Sequence, residues 1–194
     1  KYWLTFNEIN SLTLTLEFIP NCPKEMAAAT YVKLHHQFVA SAHAVRYAHS
    51  VSPDYKVGCM IAGSCYYPLT CDPADMHKTQ QKWQEATYYC GDVMVRGAYP
   101  AFAKRIWAEY GVQLDITEQD KADLLAGKVD FYSFSYYSTS CVTTHKDVAK
   151  DGAGNLSLGA KNPYIKYSDW GWGMDPSGLR YYLNEIYGRY QIPL

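Results

Sequence analysis

The chain has 194 residues, 48% of them hydrophobic and 19% charged, which is long and apolar enough for one domain with a real core and too lightly charged for a disordered tail. A formal net charge of −1 offers no electrostatic footprint for nucleic acid or an anionic membrane surface, and no apolar run reaches the length of a membrane span. Nineteen Tyr and five Trp are many for this length; flat rings with polar tips suit sugar stacking, although most must simply fill the core.

The first ten residues, K-Y-W-L-T-F-N-E-I-N, organise the rest. Tyr2, Leu4 and Phe6 alternate with Trp3, Thr5 and Asn7, the pattern of the end of a buried strand that stops near Glu8. Because residue 1 falls inside this strand, the true N-terminus is expected upstream, and the absence of a signal peptide carries no weight. A carboxyl at the C-terminal end of a barrel strand lies on the face where such barrels do their chemistry. Glu8 is therefore the candidate general acid/base, with Asn7 beside it as an uncharged partner for a sugar hydroxyl. An acid that protonates a glycosidic oxygen needs a pKa raised by a partly apolar setting, which Trp3, Phe6 and Ile9 can help supply. Taken alone, an N-E dipeptide is equally compatible with an ordinary surface carboxylate.

Ser11 to Cys22 carries alternating Leu12, Leu14, Leu16 and Phe18 and is bounded by Pro20 and Pro23; it reads as an ordered loop over the top of the domain. Pro23 suits the first turn of a helix from Lys24 to about Ser50, with Val32, His35, Val39, Ala42, Val45 and His49 recurring at helical spacing. The four His of this helix read as packing or surface residues, since neighbours on one helix point different ways. Lys56 to Ala62 is a continuous apolar run, the mark of a strand covered on both faces, and Cys65 to Leu69 follows as a loop. Asp72-Pro73 opens a long helix to about Asp92, with Trp83, Ala86, Thr87, Cys90 and Val93 as its buried stripe. Gly97 to Pro100 breaks it, and a short helix spans Ala101 to Tyr110. Thr117 to Asp120 resembles a capping box that starts a helix stopped by Gly127. Val129 to Tyr137 is the next strand. Ser138 to Gly173 is long and irregular, holding the D-G-A-G-N run at 151–155 and Trp170-Gly171-Trp172, and a loop of that length is usually functional. Asp175-Pro176 caps and begins the last helix, with Leu179, Tyr182, Leu183, Ile186 and Tyr190 on one face, and Gln191 to Leu194 leads toward another strand.

Six Cys, at 22, 59, 65, 71, 90 and 141, form no C-x-x-C pair and no zinc spacing with His; buried free thiols in a reducing compartment are expected. Strands alternating with helices imply parallel strands joined by right-handed crossovers. Doubly wound sheets and (β/α)8 barrels both qualify. No glycine-rich phosphate loop follows any strand, and the aromatic loops after the strands favour the barrel. A whole barrel takes about 250 residues, so this chain holds roughly three of the eight units.

Several segments together resemble glycoside hydrolase family 1, above all its bacterial branch acting on 6-phospho-β-glucosides. They are T-F-N-E (Thr5 to Glu8), H-H-Q-F-V-A-S-A-H-A-V (His35 to Val45), G-A-Y-P (Gly97 to Pro100), I-T-E-Q-D (Ile116 to Asp120), V-D-F-Y-S-F-S-Y-Y-S-T (Val129 to Thr139), D-W-G-W-G-M-D-P-S-G-L-R (Asp169 to Arg180) and R-Y-Q-I-P-L (Arg189 to Leu194). They occur in family order along nearly the whole chain. The resemblance implies an α/β fold, a partial (β/α)8 TIM barrel from about the end of strand 4 to just before strand 7, in a single incomplete domain. It implies a retaining β-glycosidase with two glutamates. Glu8 closes the T-x-N-E motif as acid/base, and the nucleophile lies in an E-N-G motif outside this chain. Asn7 is expected to bond the 2-hydroxyl of the sugar, Tyr137 to orient the nucleophile, and Trp172 to stack on the leaving-group side, with a buried structural Trp170 beside it. The usual family Asn is Ser135 here, a departure that weakens any polar role at that position.

The implied reaction is hydrolysis of 6-phospho-β-glucosides in the bacterial cytoplasm without cofactor or metal, with 6-phospho-β-galactosides or unphosphorylated glucosides as alternatives. The substrate and the remainder of the barrel are the expected partners, with no nucleic acid and no membrane. A catalytically inert partial barrel is the rival of another class. Half of the acid–nucleophile pair being absent, the 194 residues alone are expected to be inactive, and open strand edges are expected to make them associate, as a homo-oligomer or an aggregate.

Overall fold

The computed structural model describes residues 1–19, 21–149 and 159–194. Pro20 and the D-G-A-G-N run lie outside the described residues. The chain divides into two compact units, one of residues 1–62, 86–135 and 192–194, the other of residues 63–85 and 136–191.

In the first unit, β1 (Tyr2–Leu4) runs parallel to the start of β2 (Lys56–Pro68), with Tyr2 opposite Lys56 and Leu4 opposite Gly58. The start of β3 (Phe131–Val142) completes the order β1-β2-β3. β1 is shorter than the alternation indicates and is not buried: all three residues are exposed, Trp3 by 52%. Among the described residues β1 pairs with β2 alone. The stretch expected as a loop after Asn10 is helical instead, as α1 (Ser11–Leu14) and a 3₁₀ turn at Thr15–Phe18. Its even-numbered leucines imitate strand alternation over too few residues to separate the two periods.

The helix expected from Lys24 is α2 (Lys24–Val51). Its inward face is Tyr31, Leu34, Phe38, Ala42 and Val45. Val32 and Val39 are only half-buried, because the larger rings of Tyr31 and Phe38 remove more apolar surface from water and take the inward places. α2 packs on α4 (Tyr89–Arg96), α5 (Ala103–Tyr110) and α6 (Glu118–Ala126). Tyr89 meets Tyr31 edge to face at 5.5 Å. Gly97 closes α4 at φ 71, a left-handed position that favours glycine. The capping box at Thr117 and Asp120 is present in full. His35 is buried and bonds Tyr99 Oη at 2.8 Å, while His49 pairs with Asp130 at 2.9 Å. Among the described residues no group of three His, Cys, Asp or Glu is placed to hold a metal ion, and no helix is long and apolar enough to cross a membrane. Gln191 to Leu194, expected to lead toward another strand, is irregular, and the Pro193 carbonyl accepts the Tyr132 amide at 2.9 Å.

The second unit is built on the far halves of the same two long strands. Cys65 to Pro68 continues β2 and Ser138 to Val142 continues β3, where loops were expected. The sheet here has the order β3-β5-β4 and is antiparallel rather than parallel: Thr139 faces Gly173 of β5 (Gly173–Met174), which pairs with β4 (Lys166–Tyr167). The short connection from Tyr167 to Gly173 suits the antiparallel β4–β5 pair, whereas a parallel pair needs a full crossover. Asp72 accepts the Ala74 amide at 2.9 Å to cap α3 (Pro73–Trp83). The helix then widens into a π-turn at Gln84–Tyr88 before α4, so the expected single helix runs on to Arg96. In α7 (Pro176–Tyr190) the buried residues are Gly178, Tyr182, Ile186 and Tyr190, and Tyr182 stacks on Trp83 at 5.7 Å. Asp175 stands at the N-cap of α7 but makes no capping bond; its carboxylate accepts the Tyr67 hydroxyl at 2.9 Å instead.

No disulfide joins cysteines among the described residues, and Cys59, Cys65, Cys90 and Cys141 are buried. Burial pushes the Cys59 and Cys65 thiols up to about 12, so neither forms a reactive thiolate near neutrality.

Candidate active site

Glu8 stands on the turn that follows β1, at the C-terminal end of a strand running parallel to β2. Its backbone adopts φ 44, in the left-handed region that few residues other than glycine enter. The turn is pinned on both sides of the peptide chain. The Ser11 amide donates to the Glu8 carbonyl at 2.7 Å, and the Ile9 amide donates to the Met60 carbonyl of β2 at 3.1 Å. Ile9 and Asn10 are buried beneath the turn, Glu8 is half-buried and Asn7 is exposed. Of the apolar residues expected around Glu8, Ile9 is buried and Phe6 half-buried, while Trp3 is exposed and lies 6.4 Å from the Tyr55 ring. Glu8 makes no ion pair among the described residues.

Among the described residues one side chain reaches the Glu8 carboxylate: the Ser135 hydroxyl donates to Oε1. Serine in place of the usual family Asn was expected to weaken a polar role at this position, yet its hydroxyl makes this bond. Ser133, two residues earlier on β3, donates to the Cys59 carbonyl at 2.7 Å. Successive side chains of a strand alternate faces, so Ser133 and Ser135 lie on the same one. That face carries small donors among the rings of F-Y-S-F-S-Y-Y, but the spacing of the two serines says only that they share a face and does not point to Glu8.

The second unit holds Tyr137 and Trp172. Tyr137 is 66% exposed on β3, and its ring lies 5.6 Å from that of Trp172. A tight turn presents Trp172. The Gly171 amide donates to the Ser168 carbonyl at 2.8 Å, the Ser168 amide to the Trp172 carbonyl at 2.9 Å, and the Trp172 amide to Ser168 Oγ at 3.2 Å. Gly171 sits at φ 78, which a side chain there would oppose. The turn leaves Trp172 half-buried with its Nε1 enclosed and without a hydrogen-bond partner among the described residues. Trp170 is not the buried structural partner expected: it is 64% exposed, because the turn directs its ring to solvent and keeps that of Trp172 against Tyr137. The structure thus brings Asn7 and Glu8 together in one unit and Tyr137 and Trp172 in the other.

The sequence profile of Glycosyl hydrolase family 1 matches residues 1–194. Among curated proteins, the chain is 48% identical over 195 residues to a 6-phospho-beta-glucosidase of Dickeya chrysanthemi, covering 100% of this chain and 42% of that protein. It is 44% identical over 198 residues to a 6-phospho-beta-glucosidase of Clostridium longisporum, covering 100% of this chain and 41% of that one. The chain therefore spans about two fifths of the length of the curated relatives it matches. Among solved structures it superposes on a family 1 β-glucosidase from Thermotoga maritima with a TM-score of 0.76 at 21% identity, covering 98% of this chain and 41% of that one. At that identity the likeness shows the fold alone, and the fold is part of a (β/α)8 barrel.

Proposed function

Because this chain belongs to glycosyl hydrolase family 1, we propose that it is the acid/base segment of a retaining glycosidase that cleaves 6-phospho-β-glucosides. The observation that carries the reading is the place of Glu8, on a pinned turn at the C-terminal end of a parallel strand with a serine hydroxyl on its carboxylate. The names of its relatives supply the substrate class.

In the first step the Glu8 carboxyl gives its proton to the glycosidic oxygen while a nucleophilic carboxylate from outside these residues attacks the anomeric carbon. The C–O bond breaks, the leaving group departs as an alcohol, and a glycosyl-enzyme forms. Glu8, now a carboxylate, takes a proton from water as that water attacks the same carbon, and the bond from that carbon to the nucleophilic carboxylate breaks. 6-Phosphoglucose leaves with its β configuration retained, and the acid is restored. This requires the two carboxyls about 5 Å apart. Asn7 holds the 2-hydroxyl, Tyr137 orients the nucleophile and Trp172 flanks the leaving group. None of these steps calls for a metal or cofactor. A phosphorylated substrate fits the cytoplasm. The 194 residues supply one carboxyl of the pair, so a polypeptide of these residues alone is expected to show no turnover.

The test is Glu8→Gln in the full-length enzyme. Its kcat/KM for alkyl 6-phospho-β-glucosides should fall by about a thousandfold or more, the scale of general acid catalysis. For the dinitrophenyl glycoside, whose leaving group needs no proton, the loss should be within about tenfold. Near-normal rates on the alkyl substrate would remove Glu8 from the role.

A further inference from the structure

Resting on the Glu8 reading above, we infer that Asn10 is the positioning residue that fixes the acid/base carboxyl, by locking the turn on which Glu8 stands. Asn10 is fully buried, at 0% exposure. An amide in such a place is stable only when its polar atoms are engaged. Its Nδ2 donates to the Ala62 carbonyl at 3.0 Å and to the Ala86 carbonyl at 2.7 Å, while its Oδ1 accepts the Ala62 amide at 2.8 Å. Both donors and the acceptor are thereby used.

The choice of partners is what makes this a lock. Two of these bonds close on the amide and the carbonyl of a single residue of β2, Ala62, as a neighbouring strand would. The third reaches Ala86 inside the π-turn Gln84–Tyr88, a place where the helical bonding changes register and carbonyls need outside donors. The Asn10 carbonyl completes the tie by accepting from Thr13 Oγ1 at 3.0 Å and from the Leu14 amide at 3.1 Å, which starts α1. One residue joins the turn to a strand, to a long helix and to the helix that follows.

One residue, Ile9, separates this lock from the left-handed backbone of Glu8. A non-glycine residue persists in that region only where its surroundings over-determine it. Without the Asn10 amide, the turn loses its three side-chain ties to Ala62 and Ala86 and relaxes toward an ordinary φ, which swings the carboxyl. Catalysis is steep in placement, and a displacement of about 1 Å costs about a hundredfold. Ser135 adjusts the end of the Glu8 side chain; Asn10 sets where the chain starts from.

The test is a double-mutant cycle in the full-length enzyme, with Asn10→Ala and the gentler Asn10→Ser, each alone and combined with Glu8→Gln. Folding is checked by thermal melting. On an alkyl 6-phospho-β-glucoside, kcat/KM should fall by about thirtyfold to a hundredfold in the Asn10 variants. On the dinitrophenyl glycoside the fall should be under about threefold. In the Glu8→Gln background, Asn10→Ala should add no further loss on either substrate, because residues that act as a unit are not additive. Equal losses on both leaving groups, or a loss that persists without Glu8, would make Asn10 a structural residue and overturn the proposal. Failure of both Asn10 variants to fold would overturn it in the same way. If Glu8→Gln itself leaves the alkyl substrate untouched, the acid/base reading falls and the Asn10 proposal with it. A normal Glu8→Gln loss beside flat Asn10 variants sinks the Asn10 proposal alone.

Discussion

Asn10 in the first unit and Asp75 in the second are both at 0% exposure, and each ties a loop to a helix through side-chain bonds. Asn10 is neutral and works by both giving and accepting. Asp75, on α3, only accepts: from Thr70 Oγ1 at 2.8 Å, from the Thr144 amide at 2.6 Å, and from the hydroxyls of Thr143 and Thr144 at 3.0 Å. Desolvation pushes the Asp75 carboxyl up, but the Thr144 amide and the three hydroxyls outweigh it and hold it below the usual carboxylate range. The difference teaches where each unit is sensitive. A lock built on an amide is indifferent to pH, and it lies under the turn that carries the candidate acid. A lock built on a carboxylate ring of donors is strong only while it is ionised, and it holds the end of β3, away from the acid's turn in sequence.

The largest expected effect breaks the second lock. Asp75→Ala leaves the Thr144 amide and three hydroxyls without their acceptor, and unsatisfied buried donors are costly. Protection of the Thr144 amide against hydrogen exchange should collapse, while that of Ala62 in the first unit holds. Acid should sharpen the contrast more gently. Because the folded pKa of Asp75 is depressed, its contribution is fully present above the unfolded value near 3.8 and is lost as pH falls through the folded value. Denaturant melts of the wild type should therefore weaken below about pH 4, and Asp75→Asn should be weaker at neutrality with a flatter acid limb. An acid limb unchanged by Asp75→Asn would remove Asp75 as its source.

Some of this was legible in the sequence because its causes are local. Pro23, Asp72-Pro73, Gly97 and the Thr117–Asp120 box mark helix ends through their own backbone and side-chain preferences, and the helices stop or start there. The second halves of β2 and β3 were not legible. In C-Y-Y-P and S-T-S-C-V, small polar and aromatic residues mix without a clean period of two, and the strands persist through pairing with distant segments. The edge exposure of β1 was hidden for the same reason, since alternation reports two faces and says nothing about who covers them. In the site, Glu8 was visible through its motif. Its supports were not: Ser135 bonds it from 127 positions away, and Asn10 finds its partners 52 and 76 positions away. No spacing rule spans such separations, so residues that hold a site across the fold stay silent until the chain is folded.

The smallest expected effect concerns Ser135, and it separates holding the carboxyl from holding its backbone. The Ser135 hydroxyl donates to Glu8 Oε1 and is the one side chain on that carboxylate among the described residues. Removing it in Ser135→Ala leaves the turn and its Asn10 lock intact, so the Glu8 Cα does not move and only the rotamer of the side chain is freed. A bond to a charged group is worth about 1.5–3 kcal/mol, of which solvent replacing the hydroxyl at a half-buried site returns a part. The full-length Ser135→Ala enzyme should therefore lose about tenfold in kcat/KM on alkyl 6-phospho-β-glucosides, with KM nearly unchanged. Ser135→Thr, which keeps the hydroxyl, should restore most of the loss. If Ser135→Ala instead costs as much as Asn10→Ala, the carboxyl is governed by its donor and not by the turn beneath it, and the ranking of the two supports reverses.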